Sequence, residues 1–341
     1  MPTLSGKLCA SAETLQMKSS FIFFFKARLD QAMGLATLLL APVAVYYLIH
    51  KSTFPSSTKI LLLASICYAS FHEVIVTFIQ GYSVQRSLLF KDSPCEIMFT
   101  SEECITLCFS LIMASTGMIG TQTAMSIDMI ASVLLPARHA GALVPISVVL
   151  LFMTVSYSIL LPSFLFDRTA PLETISTCFN PPQYMFTPYN QIMMSNALAC
   201  VICLVINITV ICINRYQEKK TRYDIKIRYQ KREALVTSKV VCSIAIALLI
   251  AFGGYAVGGL VLRSNKEKFS PLVYSRIFLF VYTYPYAALS TPALIILASI
   301  YLKRQRRKNI KELTETRETI NNRIAVLKNS WNMTMPKVYA R

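Results

Sequence analysis

The chain is poor in charge. Only 15% of its 341 residues are Asp, Glu, Lys or Arg, where an ordinary soluble domain carries about 25%, so a body folded entirely in water is excluded. Acidic residues are the scarcer sign, 17 against 34 Lys and Arg, for a formal net charge of +17. Histidine occurs three times. No His-Glu-x-x-His run, glycine-rich phosphate loop or zinc-ligand spacing is present, which argues against enzymes built on those motifs and against the common nucleic-acid modules. The sequence therefore reads as no enzyme, implies no cofactor and points to no nucleic-acid partner.

What is abundant is apolar side chain, 54% of the residues. Crossing a hydrocarbon core of roughly 30 Å takes about 20 mainly apolar residues in a helix, which satisfies its own backbone polar groups. Seven segments qualify, at about 32–50, 60–79, 104–135, 143–164, 191–213, 240–262 and 276–302. The expected fold is all-α, a rhodopsin-like seven-transmembrane helix bundle over 32–302. An extracellular segment, 1–31, precedes it and a basic cytoplasmic tail, 303–341, follows. The third segment carries Ser115, Thr116, Thr121, Gln122, Thr123 and Asp128, which suits a helix surrounded by other helices. With the amino terminus outside, 23 of the 34 Lys and Arg fall on the cytoplasmic side, as the positive-inside rule asks. The apolar stretch 21–25 is only five residues long, between Lys18 and Lys26. It is too short for the core of a signal peptide, so the first span is expected to act as an uncleaved anchor.

Topology sorts the ten cysteines. Cys67, Cys108, Cys200, Cys203, Cys212 and Cys242 fall inside spans; Cys9, Cys95, Cys104 and Cys178 fall outside. Four cysteines in an oxidising compartment allow three pairings. Cys104–Cys178 is favoured because it would tie the outer end of the third span to the second outer loop, leaving Cys95 for Cys9.

Asp128 lies 24 residues beyond Cys104, about 36 Å along a helix and hence at the opposite face of the membrane. This spacing resembles the third helix of rhodopsin-type receptors, where an acidic-Arg pair at the inner end forms a latch released when the G protein binds. Here the pair is Asp128-Met129, with no Arg. A plain interfacial charge, where the helix emerges, is the alternative reading. His72 and Glu73 sit inside the second span, where an ionisable group is costly unless paired, protonated or facing water. Neighbours point in different directions on a helix, so at most one is expected to face a shared cavity, and Glu73 could instead snorkel outward.

The third inner loop, 215–239, is a basic extension of the fifth and sixth spans. Arg222, Lys226, Arg228, Lys231 and Arg232 within it would suit anionic membrane lipid or an acidic partner such as a G-protein tail. In the tail, Lys303-Arg-Gln-Arg-Arg-Lys308 precedes Ile320, Ile324 and Leu327 at helical spacing, the pattern of an amphipathic helix on the inner leaflet. In the seventh span, Tyr282-Thr-Tyr284-Pro285-Tyr286 gathers polar-tipped rings around a proline that can kink the helix. The sixth span carries Gly253, Gly254, Gly258 and Gly259, which permit close helix approach or plain packing.

Three stretches resemble the nematode serpentine receptors of class alpha, a family of chemosensory G-protein-coupled receptors. They are Cys9-Ala10-Ser11, the run Tyr223-Asp224-Ile-Lys226-Ile-Arg228-Tyr229-Gln230-Lys231-Arg232-Glu233, and Tyr282-Thr-Tyr284-Pro285-Tyr286. The resemblance covers nearly the whole chain. It implies a multi-pass protein of the plasma membrane, in sensory neurons or cilia, with a small-molecule ligand and a heterotrimeric G protein as partners.

A ligand would enter from outside among the third, fifth, sixth and seventh helices. Cys108, Leu111, Ser115 and Met118 follow Cys104 at steps of three or four and so share its face. With Tyr255 and Tyr282 they would line a mostly apolar pocket bearing a few hydroxyls. Asp128 and the basic inner loop would carry the coupling. The alternative functions are a seven-span ligand-gated cation channel and a secondary transporter, the latter requiring paired broken helices in two repeated halves.

Overall fold

The structure is a computed structural model, and it describes residues 9–52, 54–91, 93–134, 143–165, 174–179, 183–220, 225–265 and 268–334. Nine α-helices are assigned among the described residues: α1 Ala12–Lys18, α2 Phe21–Tyr46, α3 Ser56–Leu89, α4 Ser101–Leu134, α5 Leu143–Leu165, α6 Phe186–Lys220, α7 Ile225–Ser264, α8 Pro271–Val281 and α9 Tyr284–Thr334. Seven helical stretches are long and apolar enough to cross a membrane, the last being α8 and the first part of α9 together. α3 packs against α2, α4, α5 and α9, and α4 against α3, α5, α6 and α7. These two are the central pillars. α4 is the most enclosed of the spans, as its run of hydroxyls and amides predicts.

In lipid the apolar face gains little by turning inward, so small residues and polar contacts decide which faces meet. Large apolar side chains such as Leu39, Phe152 and Ile250 point outward, while glycines set the closest approaches. A Cβ on Gly34 would lie 2.3 Å from Thr77 Oγ1, and one on Gly117 would lie 2.1 Å from the Tyr68 ring. Tyr68 in turn bonds Ser158 of α5 at 2.8 Å. The glycines singled out in the sixth span are looser. A Cβ on Gly253 or Gly254 meets nothing closer than 3.8 Å, whereas one on Gly258 would lie 3.1 Å from Val281. The tightest approaches therefore belong to α2 and α4.

The helix that carries the first span begins before the boundary expected from hydropathy. α2 starts at Phe21, where the Ser20 hydroxyl accepts the Phe23 N–H, and so takes in residues assigned above to an extracellular segment. Lys26, which closes the short apolar stretch 21–25, stands one turn from Asp30 and pairs with it, both almost fully buried. Opposite charges at i and i+4 on a helix neutralise each other locally.

The end of the bundle assigned to the outside is cross-linked. Cys9–Cys95 and Cys104–Cys178 are both bonded, in the pairing favoured from topology. Ala10 N–H donates to Pro94 O at 2.8 Å. Lys18 is buried, donates to Ile97 O at 2.7 Å and stacks its ammonium 4.9 Å from the centre of the Phe99 ring. Arg86 covers that ring from 4.8 Å and bonds Glu103 at 2.9 Å. Burial, and then the neighbouring Arg86 charge, bring the Lys18 pKa down to about 8. Two short strands, β1 Phe99–Thr100 and β2 Thr174–Ile175, pair antiparallel, and Thr100 and Glu103 cap α4 reciprocally.

The seventh span is broken, where the sequence allowed a kink. α8 stops at Val281, Tyr282 is extended (φ −72°, ψ 95°), and α9 starts at Tyr284. Pro285 sits in the first turn of α9, where a missing N–H costs nothing. Thr283 anchors the gap by donating to Ala251 O of α7 at 2.5 Å. Beyond the membrane α9 does not end. It runs unbroken through 51 residues to Thr334, about 77 Å at helical rise. The tail is therefore a continuation of the last span, where a separate surface helix was expected from 303 onward.

Candidate functional site

The break in the seventh span shapes a small cavity inside the bundle. Residues two apart lie on nearly opposite sides of an α-helix but on one side of an extended segment, so Tyr282 and Tyr284 both turn into the bundle and both are buried. Their rings stand 5.2 Å apart, centre to centre. Around them gather Tyr255 at 5.8 and 4.9 Å, Phe179 at 5.0 Å from Tyr282, and Phe252 at 4.4 Å from Tyr284. Offset and edge-on pairs at such distances add to the stability of the cluster.

The cavity is lined by Cys108, Leu111, Ile112 and Ser115 of α4, Phe179, Tyr189 of α6, Tyr282 and Tyr284. Four of the six residues expected to face a ligand lie on it: Cys108, Leu111, Ser115 and Tyr282. Met118 does not; it is buried a turn deeper, in the main core cluster. Tyr255 sits behind the wall, its hydroxyl 3.3 Å from that of Tyr189, and lines a neighbouring cleft with Asn190, Met193 and Gly259. Tyr284, Tyr189, Phe179 and Ile112 were missed. Tyr284 carried a signal, being two residues from Tyr282 in a segment interrupted by proline. Phe179 follows the bonded Cys178, whose carbonyl accepts from Cys108 Sγ at 3.0 Å, so the second disulfide holds one wall in place. The space open to the centre of a water molecule is about 20 Å³, close to the minimum for a single water. The cavity is closed around its tyrosines.

Behind Tyr282 lies a buried polar cluster. Its hydroxyl is 2.9 Å from His72 Nε2, and His72 Nδ1 is 3.0 Å from Glu73 Oε1. Both residues of the pair are fully buried. The expectation that Glu73 could snorkel outward is overturned, because α3 is flanked by α2, α4, α5 and α9 and both residues find protein; neither is among the residues that line the cavity. Lys26 pairs with Asp30, and Asp30 Oδ2 accepts from Gln80 at 2.7 Å, which links α2 to α3.

At the opposite end, Asp128 is also buried, which rules out a plain interfacial charge. It accepts from Ser57 at 3.2 Å and Thr58 at 3.0 Å on α3 and from Ser147 at 3.1 Å on α5. Met129 is turned to the other side, 3.5 Å from Ser238 Oγ of α7, and Asn214 of α6 approaches the same hydroxyl at 3.5 Å. Lys226, Arg228, Lys231 and Arg232 fall on the inner extension of α7. Arg222 lies outside the described residues. Among the described residues no three His, Cys, Asp or Glu stand together as a metal site.

Comparison with known proteins agrees with this architecture. A family described as "Serpentine type 7TM GPCR chemoreceptor Sra" matches residues 4–331. Serpentine receptor class alpha-10 of Caenorhabditis briggsae is 28% identical over 333 residues, 97% of this chain and 100% of the relative. Serpentine receptor class alpha-12 of the same species is 29% identical over 329 residues, 95% and 99%. Serpentine receptor class alpha-1 of Caenorhabditis elegans is 26% identical over 338 residues, 97% and 100%.

Proposed function

Because the chain belongs to the Sra family of serpentine seven-transmembrane chemoreceptors, we propose that it binds a small external molecule between its third, fifth, sixth and seventh spans and reports the event to a heterotrimeric G protein. The observation that carries this reading is the tyrosine-lined cavity at the break of the seventh span, tied through Cys178 to the cross-linked outer cap. The cavity is mostly apolar with a few hydroxyls, a lining suited to a small, weakly polar molecule. It is nearly filled by its own side chains, so a ligand must part Phe179 and the tyrosines to enter. A ligand that favours the parted arrangement shifts the helix equilibrium toward it.

Tyr282 sits at the junction of α8 and α9, and Thr283 beside it holds α7. Displacing this junction moves the outer half of α7 against α9, and the inner ends of α6 and α7 follow as rigid helices. Met129, Ser238 and Asn214 meet there, where an Arg after the acid would form the latch of rhodopsin-type receptors. In this reading the basic extension of α7 offers charge to an acidic partner or to anionic lipid, and the receptor works in the plasma membrane of a sensory neuron or its cilium.

The test is to record G-protein dissociation and membrane current together in cells displaying an amino-terminally tagged receptor, during a screen of small odorants and metabolites. Dissociation without direct current is the expected result. Current that persists when G proteins are removed would overturn the reading in favour of a channel.

A further inference from the structure

Two clefts roomier than the tyrosine cavity lie on the seam between α7 and α9, which form the sixth and seventh spans. One has about 300 Å³ open to the centre of a water molecule, against about 20 Å³ in the tyrosine cavity. Its walls are apolar, from Val240 of α7 to Leu294 and Leu297 of α9, and the polar side chains on it are Lys239, Ser243 and Tyr301. The other, of about 250 Å³, lies one turn further along both helices, with Ala247 and Ile250 of α7 and Tyr286 and Ser290 of α9 on its walls. Between Tyr286 and Tyr301 α9 rises about 22 Å, more than half of a hydrocarbon core of roughly 30 Å. Ile250, Leu297 and Tyr301 are exposed, so in a membrane this seam faces lipid.

Charge along the seam has one sign. α7 carries no Asp or Glu from Ala234 to Ser264, and α9 carries none from Tyr284 to Lys311. Lys239 stands five residues inside the span that begins at Ala234, about 7 Å along the helix. On α9 the exposed Arg304 follows Tyr301 by three residues and so shares its face. Among the described residues neither cation is in an ion pair. A cation at the depth of Lys239 is costly unless it is paired or reaches the interface. The positive-inside direction of the chain sets this end in the cytoplasmic leaflet, where anionic lipid headgroups supply the opposite charge.

We propose that the α7–α9 seam binds an anionic phospholipid of the inner leaflet, with an acyl chain laid in the cleft and the headgroup on Lys239 and Arg304. A cleft without cations would take the chain of any lipid, and cations without a cleft would hold lipid at no fixed place. Here both are present. A zwitterionic lipid brings its own ammonium, which the two cations repel, whereas a lipid of net negative charge answers them. The basic extension of α7 and the tail attract anionic lipid by charge alone; the seam adds a seat for one chain. This site is independent of which ligand or G protein the receptor uses.

The experiment places the full-length receptor in bilayers of phosphatidylcholine and phosphatidylserine with matched chains, one or the other brominated, and reads the quenching of a single tryptophan. Trp331, the one tryptophan of the chain, is changed to Phe, and Tyr301→Trp then reports on the cleft. Val148→Trp, on an exposed face of α5, reports on ordinary lipid-facing surface. Phosphatidylserine should be enriched at the cleft reporter by at least about fivefold over its share of the bilayer, the worth of one cation near a membrane surface, and should match that share at the α5 reporter. Lys239→Gln and Arg304→Gln should each cut the enrichment by about the same factor. Lys239→Arg should retain it, and Ser243→Phe, which fills the cleft and leaves the charge, should abolish it. These variants keep the test open if Lys239→Gln fails to fold. Equal enrichment at the two reporters, enrichment that survives Lys239→Gln or Ser243→Phe, or equal quenching by the two brominated lipids at the cleft would overturn the proposal.

Discussion

The two ends of the bundle are held by different chemistry. Two disulfides, a strand pair and a buried lysine bind the outer loops to the helix ends. At the inner end the polar contacts between spans include hydroxyls on one carboxylate, a thioether against a serine and an asparagine amide on the same serine. Covalent links do not exchange partners, whereas hydroxyl hydrogen bonds do so at little cost, each being worth about 1 kcal/mol net. This asymmetry fits the proposed reading, in which a ligand site keeps its shape while the inner surface rearranges.

The largest effect should come from breaking the rigid end. Replacing Cys104 and Cys178 together by serine frees the loop that carries Phe179, and loss of a native disulfide typically costs about 2–5 kcal/mol. We expect a lower melting temperature of the purified protein and reduced surface display. An unchanged melting temperature would show that the strand pair alone suffices. Next, Asp128→Ala strands the hydroxyls of Ser57 and Thr58 at the inner end, while Ser147 keeps Leu143 O at 3.0 Å, at about 1–3 kcal/mol for buried groups left unpaired. Its expected signature is a rise in ligand-independent G-protein dissociation of several-fold, with the outer cap as stable as before. Silent basal activity would mean that Asp128 braces the fold and gates nothing.

Met129→Arg is a finer probe of the same end. A guanidinium there reaches Ser238 and Asn214 and restores the pair of rhodopsin-type receptors, so ligand-stimulated coupling should strengthen by a few-fold. Equal coupling would show that the family signals without that latch. The smallest effect belongs to Lys18, whose pKa falls to about 8 in the folded state from 10.5. The unfolded chain binds more protons across that interval, so stability rises as pH climbs through it, by about 1 kcal/mol between pH 8 and 9. Thermal melting at the two pH values should show the gain, and Lys18→Met should abolish it.

Much of the frame was legible in the residues. Span number follows from the length of apolar runs, and the outer cysteines were isolated by their place between spans. Legibility failed where a residue's meaning depends on its neighbour in space. Lys26 marks the end of a short apolar stretch when read along the chain, although in space it pairs with Asp30 and both are buried. Glu73 was given the option of snorkelling outward because the reading used one helix, without the neighbours that enclose it. Helical spacing from Cys104 brings Cys108, Leu111 and Ser115 to one face, and the structure lays them along the cavity, but Tyr189 and Phe179 join that lining from elsewhere in the chain.

The sequence by itself determined that seven helices cross a membrane, because hydropathy and length act locally along the chain. It also singled out the four cysteines for the outer links. Only the tertiary structure decided that the seventh span breaks at Tyr282, that His72 and Glu73 back this residue, and that Asp128 binds three hydroxyls on two other helices. Those are contacts between residues far apart in the chain, and their partners are set by how the helices pack.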